Sequence, residues 1–466
     1  MEAPSNFGDC DALSEKSDLG NFHSPRNLPP NKTVSSTAIP KPRVSPILLI
    51  SSSSSWGFDP LIDALELSSA MSLSLKLFIL FLAILNLPAV TPTEIGVTCS
   101  RSAASSTPPN ATSAPPTPER VADAVTDLKI HGVRLPDPTP QLVRAFLYTN
   151  TCLLLSIPNS LVPSLAANRS DALSWLYTNV IPFYPRVRIT AISVGNNPLD
   201  DDESPLFDSV LPAIQNIRSS LEDLGIHKIA VSTTFSFISV MTSSFPPSSA
   251  SFQQPLLDTL IRPLLQFLKD TNSSFMINLY PYNLYRLHSE VPIAFALFQE
   301  QPFLYRDDVV TGVRYRNLFD MMVDAVVVAM TVAGHENVPI IVAETGWPSA
   351  STDVAEVDAN EAYAQMFVKG LVAHLRSGVG TPLRKEGVAE AYIYELIDRG
   401  IRRPVNGASS PQSRNWGLLY QNLTRKYDIQ FTSAGTRRGP GSLVGTFCWV
   451  IVAFGWSTTR RNTGFC

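Results

Sequence analysis

The residues able to do chemistry in this chain stand at the ends of short apolar runs. Ile340-Ile341-Val342-Ala343 leads into Glu344, followed by Thr345-Gly346-Trp347-Pro348-Ser349. Carboxylates attack or stabilise an anomeric carbon, and indoles pack the C–H faces of sugar rings. A glutamate that closes an apolar strand beside a tryptophan suits that chemistry. Position alone serves equally a glutamate that satisfies a loop. A second run ends in Asn278-Leu279-Tyr280-Pro281-Tyr282-Asn283, where two tyrosines around a proline make a rigid aromatic ledge. Core packing under a loop is the competing reading. A third ends in Ile192-Ser193-Val194-Gly195-Asn196-Asn197. Its two amides can hydrogen-bond sugar hydroxyls but carry no useful proton at neutral pH.

Metal chemistry is not indicated. His23, His131, His227, His288, His335 and His374 lack ligand spacing, and Cys10, Cys99, Cys152, Cys448 and Cys466 form no CxxC pair. No metal and no cofactor are expected. Cys99 and Cys152 are candidates for a disulfide that sequence alone does not decide.

The elements that must position these residues alternate along the chain. Candidate strands are Ile95–Thr98, Gly132–Leu135, Leu153–Ile157, Ile189–Gly195, Lys228–Thr233, Phe275–Tyr280, Val338–Glu344 and Ala391–Leu396. Helical stretches lie between them. Thr117-Pro118-Glu119 opens one, with Thr117 as N-cap and Val121, Val125 and Leu128 on one face. Leu318, Met322, Ala325 and Val326 recur at helical spacing within Asn317–Ala333. Eight strand–helix alternations indicate an α/β fold, a (β/α)8 TIM barrel in one domain. A doubly wound sheet is disfavoured because no G-x-G-x-x-G follows the first strand. In a barrel the functional residues gather where the strands end.

The chain of 466 residues is 44% hydrophobic and 16% charged, with a formal net charge of −4. That is ample for one large core. No basic stripe points to nucleic acid. Met71-Ser-Leu-Ser-Leu-Lys76 followed by an apolar run to Ala89 has the pattern of a secretory signal. Residues 1–70, rich in Ser and Pro, are then disordered or an artefact of the gene model. Residues 71–90 are the signal, 91–432 the barrel and 433–466 a tail with an apolar stretch. An anchor signal, a truncated carbohydrate-binding module and a mispredicted exon all remain open for that tail. The glycosylation acceptors Asn110, Asn168, Asn272 and Asn422 agree with secretion to the extracellular space or cell wall.

The motifs together resemble plant glycoside hydrolase family 17, the endo-β-1,3-glucanases. Val342-Ala343-Glu344-Thr345-Gly346-Trp347-Pro348-Ser349 resembles the family's nucleophile signature, and Asn278-Leu279-Tyr280-Pro281-Tyr282 its sugar-binding strand. Arg314 to Asp320 and Asn415-Trp416-Gly417-Leu418 are similar to further family motifs, and the likeness runs from about residue 94 to 431. It implies a retaining hydrolysis of β-1,3-glucan, and a monomer is expected. Glu344 is the implied nucleophile, and Asn196, Tyr280, Tyr282, Trp347 and Glu390 the implied substrate-binding residues.

Three departures accompany the likeness. The family reads Val-Gly-Asn-Glu where this chain has Val194-Gly195-Asn196-Asn197, so Asn197 occupies the place of the acid/base glutamate. Leu396-Ile397-Asp398-Arg399 stands where the family has a further glutamate. The first strand leads through Cys99-Ser100 into a Ser/Pro-rich insertion. A retaining glycosidase needs two carboxyl groups about 5–5.5 Å apart. Losing general acid catalysis costs roughly 10²–10⁴-fold in rate. Asp200, Asp201, Asp202 and Glu203 follow closely and read as a solvated loop or as a substitute acid. Two functions therefore stand: a slow β-1,3-glucan hydrolase, and a non-catalytic wall glucan-binding protein on a degenerate barrel.

Overall fold

A computed structural model of the protein describes residues 93–100, 116–200, 206–400 and 413–431. The signal, the tail, Asn110 and residues 201–203 lie outside them. Eight parallel strands close into a barrel: β1 (Glu94–Thr98), β2 (Gly132–Leu135), β3 (Cys152–Ile157), β4 (Arg188–Asn196), β5 (Ala230–Ser236), β6 (Phe275–Asn278), β7 (Ile340–Thr345) and β8 (Glu390–Tyr394). Neighbours follow chain order all the way round. β8 closes onto β1 in register from Glu94↔Glu390 to Thr98↔Tyr394. Each expected strand falls on one of these eight. The β5 expectation, Lys228–Thr233, sits too early, because Thr234 and Phe235 continue the buried run. β6 stops at Asn278 because Pro281 opens a short helix, Pro281–Leu287, for which Tyr280 is the cap position.

Period-two alternation sorts the strand side chains. Val133 and Leu135 join the layer between strands and helices, while Arg134 takes the opposite face and is fully buried. The barrel interior is filled by Leu154, Ala191, Met276, Ile341, Ala343 and Tyr392. Tyr392 packs against Gly96 of β1 and Gly132 of β2. A Cβ on Gly96 would stand 2.4 Å from the Tyr392 ring, and one on Gly132 3.3 Å from it.

The helices form as their residues dictate. α1 (Pro118–Leu128) starts with proline in its first turn and buries Val121, Ala122, Val125 and Leu128. Thr117 takes the extended cap conformation, but its side chain makes no capping bond. α2 (Leu318–Val332) is capped by Asn317, whose Oδ1 accepts from the Asp320 N–H at 2.8 Å. A small groove between α1 and the segment around Leu419–Arg425 lies in this outer layer, lined by Arg120, Asp123, Asp127 and Arg425. Among the described residues no helix is long and apolar enough to cross a membrane.

Cys99 and Cys152 are separate buried thiols. Cys152 pairs in register with Gly132, and Gly132 with Gly96, whereas Cys99 lies three residues beyond Gly96. Two strand spacings and three strand residues put them roughly 10 Å apart in each direction. A disulfide needs Cα atoms within about 7 Å.

One buried acid in the helical layer sets a pH dependence. Asp324 of α2 is fully buried and accepts hydrogen bonds from Thr381 Oγ1 and from the Leu383 N–H at 2.9 Å. Burial pushes its carboxyl up to about 6, against the pull of those bonds. The folded-state value lies above the unfolded one, near 4, so the folded protein holds this proton more tightly. Its contribution to stability is complete below about pH 4 and is lost as pH rises through about 6. Unfolding in urea at pH 4 and pH 7 should show the parent losing about 2 kcal/mol relative to Asp324→Asn. An equal difference between the two proteins at both pH values would contradict this.

Candidate active site

Two strands carry an extra residue just below the barrel mouth. On β4, Ser193 pairs with Ser232 and Asn196 with Thr234, so three steps on β4 span two on β5. On β7, Val342 pairs with Ile277 and Glu344 with Asn278, and the slip recurs against β8, between the Ala391 and Ile393 pairings. Such bulges re-aim the side chains above them. Gly195 supplies the left-handed backbone at the first, with φ of 81°.

Glu344 is 6% exposed, and its two oxygens have different donors. Arg134 Nη1 donates to Oε1, and the Tyr280 hydroxyl donates to Oε2 at 2.6 Å. Arg134 also gives Nη2 to Asn196 Oδ1 at 2.9 Å. Asn278 Nδ2 donates to Asn196 Oδ1 and to Asn197 Oδ1, both at 2.9 Å. Asn159 clamps the strand end, accepting from the Asn196 N–H at 2.8 Å and donating to its carbonyl at 3.0 Å. A continuous chain of hydrogen bonds thus runs from Glu344 through Arg134, Asn196 and Asn278 to Asn197. Burial and the adjacent Glu344 charge raise the Tyr280 phenol well above its ordinary value, so it remains a donor.

The structure brings Glu344, Asn196, Asn197 and Tyr280 together and places three other expected residues elsewhere. Tyr282 and Trp347 are buried and pack on each other with ring centroids 4.9 Å apart. Trp347 Nε1 donates to the Asp358 carbonyl at 2.9 Å. Tyr282 belongs to the helix after β6 and Trp347 to the loop after β7, and both rings are withdrawn from the surface of the mouth. The half-buried aromatics at the mouth are Tyr280, Tyr394 and Trp416, with Tyr280 5.3 Å from Trp416 and 6.0 Å from Tyr394. Glu390 opens β8 and therefore sits at the foot of the barrel, where the Tyr392 hydroxyl donates to it. The four steps of that strand carry it roughly 13 Å from the mouth.

The stretch after β8 is tied down by ion pairs. Asp398 accepts from Lys426 Nζ at 2.7 Å and from the Gly417 N–H at 2.9 Å. Arg399 turns to Glu395, with Nε 3.0 Å from Oε2, and gives Nη2 to Ser100 Oγ at 2.9 Å. Ser100 in turn donates to Glu395 Oε2 at 2.6 Å. Burial raises the Glu395 carboxyl, while Arg399 and Ser100 pull it back. Asp200 is exposed. No group of three His, Cys, Asp or Glu among the described residues is arranged to hold a metal.

Sequence reading missed Arg134 and Glu395, and named Asn278 only as part of its motif. An arginine inside the run Gly132-Val133-Arg134-Leu135 was itself a signal, since a charge in a barrel strand requires a buried partner. Chemically, the site offers a positioned carboxylate and, at Asn197, an amide that hydrogen-bonds without transferring a proton.

Residues 110–431 match the model of the glycosyl hydrolases family 17. The chain is 38% identical to glucan endo-1,3-beta-glucosidase 7 of Arabidopsis thaliana, over 72% of this chain and 65% of that protein. It is 36% identical to glucan endo-1,3-beta-glucosidase 12 of the same plant, over 69% and 58%. It thus spans less than two thirds of either relative. Among solved structures, CJP38, a beta-1,3-glucanase and allergen of Cryptomeria japonica pollen, superposes with a TM-score of 0.64 at 31% identity, covering 73% of this chain and 99% of that one. With the barrel, the strand-end glutamate and these likenesses in hand, the chain belongs to glycosyl hydrolases family 17.

Proposed function

We propose that the barrel mouth binds β-1,3-glucan and cleaves it slowly with retention, with Glu344 as nucleophile and Asn197 in the place of the proton donor. The observation that carries this reading is the pair of donors on Glu344. Arg134 and Tyr280 hold its carboxylate at the end of β7, linked through Asn196 and Asn278 to Asn197. Family relatives named as glucan endo-1,3-beta-glucosidases support the substrate. Binding without turnover is the second reading. It is favoured by Asn197 itself, whose amide, held by Asn278, has no proton to transfer.

Action outside the cell as a monomer belongs to the same proposal. The acceptors Asn168 and Asn422 are exposed, which supports secretion.

Titration with laminari-oligosaccharides tests the binding. Tyr280→Ala removes an aromatic face at the mouth, and affinity should fall about threefold to tenfold. A parent protein that binds none of these oligosaccharides would refute both readings.

A further inference from the structure

We propose that this mouth moves glucosyl groups between oxygens that bear negative charge unaided, carboxylates and phenolates, in preference to alcohols and water. The proposal rests on the reading that Glu344 is the nucleophile and Asn197 stands in the proton donor's place.

The geometry separates the two halves of the chemistry. The nucleophile is intact, since each Glu344 oxygen has a donor holding it, Arg134 on one and Tyr280 on the other. The proton-handling half is absent. Asn197 Oδ1 accepts from Asn278 Nδ2 at 2.9 Å, which turns the Asn197 amide nitrogen to the other side. That nitrogen can donate a hydrogen bond to an anionic oxygen, but it has no proton to give up. Glu395, the neighbouring buried carboxyl on the β8 side, is bonded to Ser100 and Arg399. The Arg399 side chain is 39% exposed and lies close enough to Glu344 for their charges to interact. It adds a cation at the mouth for an incoming anion.

Both steps then balance without a proton. In the first, Glu344 forms a bond to C1 while the C1–O bond breaks. The electron pair stays on the departing oxygen, which leaves as a carboxylate or phenolate. In the second, the oxygen of an incoming carboxylate forms a bond to C1 and Glu344 leaves as a carboxylate. Two inversions give net retention. A glucan leaving group would depart as an alkoxide and so needs the missing acid. Water as acceptor needs the missing base. Donors are therefore aryl or 1-O-acyl β-glucosides, and products with carboxylate acceptors are 1-O-acyl β-glucosides.

The test uses the full chain with 2,4-dinitrophenyl β-laminaribioside, with and without azide or formate as the anionic acceptor. The parent should release dinitrophenolate in a burst followed by a slow phase. Azide should accelerate the slow phase about tenfold or more and give β-laminaribiosyl azide with retained configuration. Glu344→Gln should abolish burst and azide product together. Asn197→Glu should lose the dependence on azide, because it can activate water. A burst with no azide acceleration and no azide product would overturn the proposal and leave the site assignment intact. Oligosaccharide binding without any phenolate release would overturn it in favour of pure binding. An azide product from a protein that binds no oligosaccharide would uphold the transfer chemistry and remove the glucan reading.

Discussion

Asn197→Glu should raise β-1,3-glucan hydrolysis by roughly 10²-fold or more, the usual worth of a positioned acid/base. The position is prepared for a carboxylate. Asn278 Nδ2 already donates to the side-chain oxygen there, and Asn159 fixes the backbone one residue before it. The Arg399 charge near the mouth opposes protonation of a new glutamate and works against the gain. The substitution also carries a cost. Asn197 has φ of 48°, a left-handed conformation that asparagine tolerates better than glutamate. Stability should therefore drop by about 1 kcal/mol, read as a lower urea midpoint. Reducing-sugar release from laminarin, parent against variant, measures the gain. If the parent already matches the variant, another carboxyl supplies the proton. An inert variant that still binds glucan would locate the damage beyond Asn197, with the Glu395–Arg399 pair examined first.

Arg134→Met should be the most destabilising single change at the mouth. The guanidinium is fully buried and bonded to Glu344 and Asn196. Removing it leaves a carboxylate of 6% exposure without its ionic partner. Breaking a buried pair from one side typically costs about 3–5 kcal/mol. Replacing both charges by apolar side chains is far milder, so Arg134→Met with Glu344→Leu should regain most of the loss. Urea unfolding of the two variants beside the parent gives the comparison. A single variant within about 1 kcal/mol of the parent would mean that water reaches Glu344 and solvates it. The double variant separates stability from chemistry, because it cannot turn over at all.

The sequence carried the barrel more clearly than the details of its mouth. Buried parallel strands read as short apolar runs, and Glu344 is visible because it ends one of them. The bulges in β4 and β7 left little trace beyond Gly195, since register depends on what the neighbouring strands present. Arg134 meets Glu344 across 210 residues of chain, a pairing no local pattern encodes. Tyr282 and Trp347 were misplaced because an aromatic under a loop and one lying on a cleft have the same composition. Glu390 was misplaced because one strand has a functional end and a structural end, and only the fold distinguishes them. Tyr394, Glu395 and Trp416 become prominent once the closure of β8 onto β1 sets them beside Tyr280 and Ser100.

The contact of Tyr392 with Gly96 and Gly132 ties together one position on each of three adjacent strands, and it constrains the order in which those positions can change. A first step from Gly96 to alanine collides with the ring at 2.4 Å, so it meets selection immediately. A first step that shrinks Tyr392 opens a gap instead, and larger residues at Gly96 and Gly132 can then fill it. Descendants of this sequence should reach a different barrel foot by the second route, and the three positions should vary as a set across any lineage that has done so.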